Sequence, residues 1–205
     1  RKWLVFNAVG YLWKKELPAG KPQRITNGID FEFEPQFSAD GKTLLYTSWN
    51  DSTAGAIYKL NYQQAGAVPV RLSKAKAIYR TPSFSPDGKW IVFRKEGGSD
   101  VLGPAYTAEP GIYIFDSEGN NEKLVTVNGN TPRFNKKGDR IFYQSGSSMT
   151  SVKLDGEDEK VLLKSTYGNQ FTVSPDEKWI AFIDLHKAYI AAFPQTGKTI
   201  DIGSG

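Results

Sequence analysis

Phe84-Ser85-Pro86-Asp87-Gly88-Lys89-Trp90-Ile91-Val92-Phe93 decides the fold, because the chain repeats it. An earlier copy reads Phe37-Ser38-Ala39-Asp40-Gly41-Lys42-Thr43-Leu44-Leu45-Tyr46. Two later ones read Phe134-Asn135-Lys136-Lys137-Gly138-Asp139-Arg140-Ile141-Phe142-Tyr143 and Val173-Ser174-Pro175-Asp176-Glu177-Lys178-Trp179-Ile180-Ala181-Phe182. Half a copy, Lys2-Trp3-Leu4-Val5-Phe6, opens the chain. The steps from Asp40 to Asp87, from Asp87 to Lys137 and from Lys137 to Asp176 are 47, 50 and 39 residues. Periods of this length mark stacked or radial repeats.

Each period holds four short strand signals. An extended stretch reaches the Ser-Pro-Asp-Gly turn, where Pro presets φ and Gly accepts a positive φ, so two strands join tightly. An apolar strand follows, then a third strand such as Ile57-Tyr58-Lys59-Leu60 or Ile112-Tyr113-Ile114-Phe115, then a fourth such as Val70-Arg71-Leu72-Ser73. Four antiparallel strands cannot bury both of their faces alone, whereas blades packed around an axis can. The pattern predicts an all-β chain, a β-propeller of about five four-stranded antiparallel blades at residues 1–28, 29–75, 76–127, 128–166 and 167–205. The first blade is incomplete, lacking its opening strand and turn. Thr199-Ile200-Asp201-Ile202 reads as the fourth strand of the fifth blade, so the expectation is a single domain excised from a larger propeller.

The Phe-Ser-Pro-Asp-Gly-Lys-x-Ile-Val-Phe pattern resembles the repeat of the TolB-like, WD-repeat-like β-propellers. Pro22-Gln23-Arg24-Ile25-Thr26-Asn27, Phe31-Glu32-Phe33-Glu34-Pro35 and Thr47-Ser48-Trp49-Asn50-Asp51 resemble, more narrowly, the propeller that precedes the catalytic domain of large bacterial amidohydrolases. That resemblance implies a non-catalytic domain that governs substrate access to, or docks on, a downstream catalytic domain of the same parent chain, itself a metal-dependent hydrolase. The alternative is a stand-alone TolB-like scaffold for a protein partner. Either implies a periplasmic or secreted bacterial protein. Lys136-Lys137 replaces Pro-Asp in one copy and Glu177 replaces Gly in another, departures that bear on the turn types and not on the blade count.

Composition narrows the function. With 39% apolar and 13% aromatic content, 205 residues can fill one sizeable core. No run of about 18 apolar residues is present, so no membrane insertion is expected. The net charge of +4 is dispersed among 22 acidic residues, and nucleic acid requires a concentrated basic stripe. Zero cysteines exclude disulfides and thiol catalysis. An amidohydrolase metal centre is built largely from histidines, and the chain has one, His186. There is no Gly-x-Ser-x-Gly elbow, and Gly97-Gly98-Ser99 lacks the lysine of a phosphate-binding loop. The chain is therefore expected to carry no catalytic residues, no metal and no cofactor.

Propeller topology locates two candidate surfaces. Loops joining the second and third strands emerge on the same face as the links between blades, and the longest insertions, 48–55 and 97–111, are of that kind. Trp49, Asp51, Tyr79, Arg80, Tyr106 and His186 are the candidate interface there, on loops opposite the Asp40, Asp87 and Asp176 turns. Plain connecting loops, and an ordinary exposed histidine at 186, are the simpler reading. The innermost strands place Glu34, Thr81, Thr131 and Gln170 at one equivalent position, and Gln36, Ser83, Arg133 and Thr172 two residues later on the same side. These polar residues line either a water-filled central channel or an access route for a small charged solute. Trp90 and Trp179, equivalent in the second strand, are both expected to fill space between blades.

Overall fold

The computed structural model describes residues 3–64, 66–97, 109–193 and 197–202. The described residues form strands and no helix, so no helix among them is long and apolar enough to cross a membrane. Blade one is β1 (Trp3–Ala8), β2 (Tyr11–Glu16) and β3 (Gln23–Arg24), and blade two is β4 (Phe31–Phe37), β5 (Leu44–Trp49), β6 (Ala56–Leu60) and β7 (Val70–Arg71). Blade three is β8 (Ile78–Phe84), β9 (Trp90–Glu96), β10 (Gly111–Asp116) and β11 (Lys123–Thr126). Blade four is β12 (Asn130–Phe134), β13 (Arg140–Ser145), β14 (Ser148–Lys153) and β15 (Lys160–Lys164). Blade five is β16 (Asn169–Val173), β17 (Trp179–Asp184) and β18 (Lys187–Ala192). Neighbouring strands within each blade are antiparallel, giving the expected all-β, five-bladed propeller.

The motif turn is a closed hydrogen-bond circuit. In blade three the Ser85 hydroxyl donates to Asp87 Oδ1 (2.6 Å) and accepts from the Trp90 N–H (2.9 Å), while Asp87 Oδ1 also accepts from the Lys89 N–H (3.1 Å). Ser38 and Asp40 repeat this in blade two, Ser174 and Asp176 in blade five. Gly88 N–H closes the turn onto Ser85 O at 2.9 Å, with φ +72° at Gly88. The two departing copies make the same turn. Asn135 Oδ1 takes the serine's place by accepting from the Arg140 N–H (3.0 Å), Gly138 keeps φ +77°, and Glu177 adopts φ +60° despite its Cβ.

Between adjacent blades lie four apolar clusters, one per seam. In β9, Ile91 and Phe93 pack toward blade two with Leu45, Ile57, Tyr79 and Phe115, whereas Val92 between them packs toward blade four with Phe134, Ile141 and Tyr143. Leu44 and Tyr46 face Leu12 of blade one, and Phe142 joins Phe171, Ile180 and Phe182 of blade five. An Ile-Val-Phe run is thus a strand buried on both faces, its alternation sorting side chains into two seams.

Two expectations need correction. Residues 199–202 do not complete blade five: β19 (Ile200–Asp201) runs parallel to β15 on the outer edge of blade four. There the Ile202 N–H donates to Lys164 O (2.8 Å), and Ile202 packs against the seam between blades four and five. An open strand edge is a template for any extended segment that reaches it, and the sequence does not say which edge. Trp90 is half-buried against the seam between blades three and four, as expected, but Trp179 is 53% exposed. It shares the outer face of blade five with Ala181 and Ile190, and no described blade covers that face.

Candidate functional site

Every innermost strand with a described partner carries the same irregularity. Glu34, Thr81, Thr131 and Gln170 have positive φ of +53°, +49°, +49° and +53°. At each, the ladder to the second strand gains one residue, between Phe33 and Gln36, Arg80 and Ser83, Asn130 and Arg133, and Asn169 and Thr172. These are β-bulges, which re-aim side chains and free an N–H from the ladder. The alternation expected to put Glu34 and Gln36 on one side is broken there, as it is in the other three blades. Pro35, Pro82 and Pro132 directly follow the first three bulge residues, and a proline inside a strand is itself a bulge signal.

The first two bulges build a site. Glu34 of blade two accepts a hydrogen bond from Arg80 Nε of blade three through Oε1 (2.7 Å), and through Oε2 from the bulge N–H of Thr81 (2.5 Å). Arg80 Nη1 also lies 3.5 Å from Glu96 Oε1. The hydrogen bond it donates to Glu34 raises the Arg80 pKa, against the opposing effect of burial. Above this pair opens a cavity of about 530 Å³. Asn7 of blade one, Phe33, Glu34, Thr47, Ser48 and Trp49 of blade two, and Ile78, Tyr79 and Arg80 of blade three form its walls. Phe33 and Glu34, adjacent in sequence at the bulge, both contribute to its walls. The Trp49 indole N–H donates to Asp51 Oδ1 (2.8 Å), fixing the ring at the rim.

The structure thus joins residues drawn from the two predicted surfaces. Trp49, Tyr79 and Arg80 of the candidate interface meet Glu34 of the candidate channel in one cavity, with Asp51 behind Trp49. Tyr79 and Arg80 lie in β8 rather than in a loop, a correction that follows from the inner strand beginning at Ile78. Tyr79 is buried, stacked obliquely on Phe93 and donating its hydroxyl to Ala75 O (3.0 Å); burial, foremost, pushes its pKa up to about 12. Its ring therefore belongs to the core and shows only a margin to the cavity. His186 sits with Leu185 in an exposed two-residue turn between Asp184 and Lys187 on blade five, outside these walls. Tyr106 lies outside the described residues.

Of the other channel candidates, Thr81 and Ser83 are half-buried, and Gln36, Thr131, Gln170 and Thr172 are exposed on their strands. Arg133 bridges a seam, Nη1 donating to Val173 O (2.9 Å), and burial lowers its pKa. Among the described residues no group of three or more His, Cys, Asp or Glu side chains could hold a metal ion. Asn7, Phe33, Thr47, Ser48 and Ile78 are not among the candidates the sequence offers, since a cavity wall drawn from three blades has no local signature.

A family model described as the TolB beta propeller domain matches residues 12–191. The Tol-Pal system protein TolB of Francisella tularensis subsp. mediasiatica (strain FSC147) is 32% identical over 94 residues, 46% of this chain and 19% of that protein. The homologue from subsp. holarctica (strain OSU18) gives the same figures, 32% over 94 residues. The chain thus matches about a fifth (19%) of the length of these curated relatives. Among solved structures, a TolB from Agrobacterium tumefaciens superposes with a TM-score of 0.72 at 19% identity, covering 94% of this chain and 76% of that one. TolB from Acinetobacter baumannii gives 0.68 at 21% identity over 93% and 51%. An oligogalacturonate lyase in complex with manganese gives 0.61 at 15% identity over 91% and 55%. At such identities the likeness is one of fold alone, and the lyase shows that these blades also occur in an enzyme. With the family model matching most of its length, the chain belongs to the TolB beta propeller domain family.

Proposed function

We propose that this propeller is a non-catalytic protein-docking domain, and that the cavity between blades one, two and three receives an apolar or aromatic side chain of the partner. One observation carries the reading: aromatic and apolar walls (Phe33, Trp49, Ile78) surround a single oriented ion pair, Glu34 and Arg80, in about 530 Å³. That combination suits an anchor pocket, in which a few buried aromatic and arginine contacts hold most of the binding energy. The relatives named as Tol-Pal system proteins support an interaction scaffold.

A second reading makes the partner a downstream catalytic domain of the same parent chain, of the amidohydrolase class. It is favoured by the origin of the walls: Phe33, Glu34, Thr47, Ser48 and Trp49 all come from two of the three stretches that resemble amidohydrolase-associated propellers. A periplasmic or secreted location accompanies both readings.

The test is to pan a random peptide library against the chain and measure the recovered peptides on Trp49→Ala, Arg80→Ala and, on the opposite face, Asp87→Lys. Affinity should fall about tenfold or more in the first two variants and stay unchanged in the third, as expected for loss of an anchor contact. Failure to recover any peptide, or loss confined to Asp87→Lys, overturns the assignment.

A further inference from the structure

A second cavity, of about 370 Å³, lies on the other side of β5, with Ser48 contributing to both. Its walls come from the link between blades one and two, from β4, β5 and β6, and from residues 66–69. They carry two carboxylates, Asp30 and Glu32, and no basic side chain. Glu32 is 3% exposed, with Oε2 fully engaged, accepting from the Leu12 N–H (3.0 Å) and the Thr26 hydroxyl (2.7 Å). Its Oε1 has no hydrogen-bond partner among the described residues and lies beside Gly28, itself a wall of the cavity. Asp30 accepts from Asn50 Nδ2 through Oδ1 (2.7 Å), leaving Oδ2 without a partner among the described residues. Neither carboxylate belongs to any of the ion pairs formed by the described residues.

A buried carboxylate without a countercharge is unfavourable, and a cation brought beside it relieves that cost. The aromatic walls fit the same visitor. Tyr46, 3% exposed, stacks on Tyr58 with centroids 5.4 Å apart, and its hydroxyl has no hydrogen-bond partner among the described residues. Its pKa is pushed up by burial and then by Glu32, Tyr58 and Asp30, so the field of both carboxylates reaches the ring. Tyrosine rings attract organic cations through their π faces. A bare divalent ion would want six or more oxygens, more than two carboxylates supply, and would leave most of the volume unused. Ile25, Val68 and Pro69 supply apolar wall for a hydrocarbon stem.

We propose that the cavity between blades one and two binds an alkylammonium group, carried either by a free diamine or by a lysine side chain of a protein partner. This site is separate from the docking cavity and does not depend on it.

Isothermal titration of the whole chain with 1,4-diaminobutane, 1,4-butanediol and the peptide acetyl-Gly-Lys-Gly-amide tests it. Saturable binding of either amine, without binding of the uncharged diol, is expected. Glu32→Gln keeps an acceptor for Leu12 and Thr26 and should weaken the amine about tenfold or more, as should Asp30→Asn, which reports even if Glu32→Gln does not fold. Preference for the diamine assigns a free ligand, and preference for the peptide assigns a partner lysine. No amine binding, equal binding of the diol, binding unchanged in the folded variants, or displacement of the amine by calcium overturns the proposal.

Discussion

Arg80 and Glu34, 46 residues apart in sequence, meet at 2.7 Å across the innermost strands of blades two and three. The carboxylate does two jobs there, since its second oxygen accepts the N–H that the Thr81 bulge removes from its own ladder. The two jobs have different worth. Arg80 is 49% exposed, so the ion pair is screened and contributes less than about 1 kcal/mol. An unsatisfied, part-buried N–H costs about 1–3 kcal/mol. Glu34→Gln, which keeps an acceptor, should therefore cost under about 1 kcal/mol, and Glu34→Ala about 1–3 kcal/mol. Urea unfolding at unchanged slope measures both, and equal losses would show that the charge, not the acceptor, matters.

The two motif tryptophans should separate. Trp90 packs into the seam with Ile141 and Val152, whereas Trp179 is 53% exposed on the outer face of blade five. Trp90→Ala is expected to cost about 2–3 kcal/mol, below the range of about 3–5 kcal/mol for a fully buried aromatic because it is half-buried. Trp179→Ala should stay within about 0.5 kcal/mol. Thermal melts of the pair decide it; matched losses would mean that Trp179 is covered in solution.

Two left-handed glycines should separate as well. A Cβ on Gly88 (φ +72°) meets nothing within 4 Å, so Gly88→Ala costs only the backbone strain of about 1–2 kcal/mol. A Cβ on Gly129 (φ +80°) falls 2.1 Å from Cδ2 of Tyr143, a ring that is 1% exposed and cannot withdraw. Overpacking then adds about 1–3 kcal/mol or more to the strain. If denaturation midpoints show Gly88→Ala as harmful as Gly129→Ala, the seam at Tyr143 is looser than the structure has it.

What could be read from the sequence was local. The turn circuit of Ser85 and Asp87 and the double-faced run of Ile91, Val92 and Phe93 are set by residues within ten positions of each other, so repetition alone exposed the blades. Glu34 reads as a polar inner-strand residue, whereas its partner Arg80 reads as a loop residue of another surface, because a bulge shifts side chains without changing composition. Pro35, Pro82 and Pro132 carried that information at three equivalent places. The exposure of Trp179 and the pairing of β19 are not legible for another reason: burial and strand pairing depend on what stands alongside, which repeats do not specify. The cavity walls come from strands as distant as Asn7 and Arg80, and no spacing rule joins them.

Acid should act on the turns. Asp40, Asp87 and Asp176 have pKa values below the ordinary carboxylate value, held down first by the serine hydroxyl two residues earlier and then by the N–H two residues later. A depressed folded-state value means stability fully present above the unfolded pKa of about 3.9 and lost as pH falls through the lower folded value. The expected trend is constant turn stability from neutrality to about pH 5, then a decline below about pH 4. All three groups are exposed, so the decline should be shallow and further reduced by salt. Blade four is an internal control, since Asn135 builds the same turn and Lys137 stands where the other copies have the aspartate. In a pH series of amide spectra, the Lys42, Lys89 and Lys178 N–H resonances should titrate with midpoints below about 3.9. Asp87→Asn should abolish the shift at Lys89 while leaving the other two. Midpoints at or above the ordinary value would mean that the serine–aspartate circuit is open in solution.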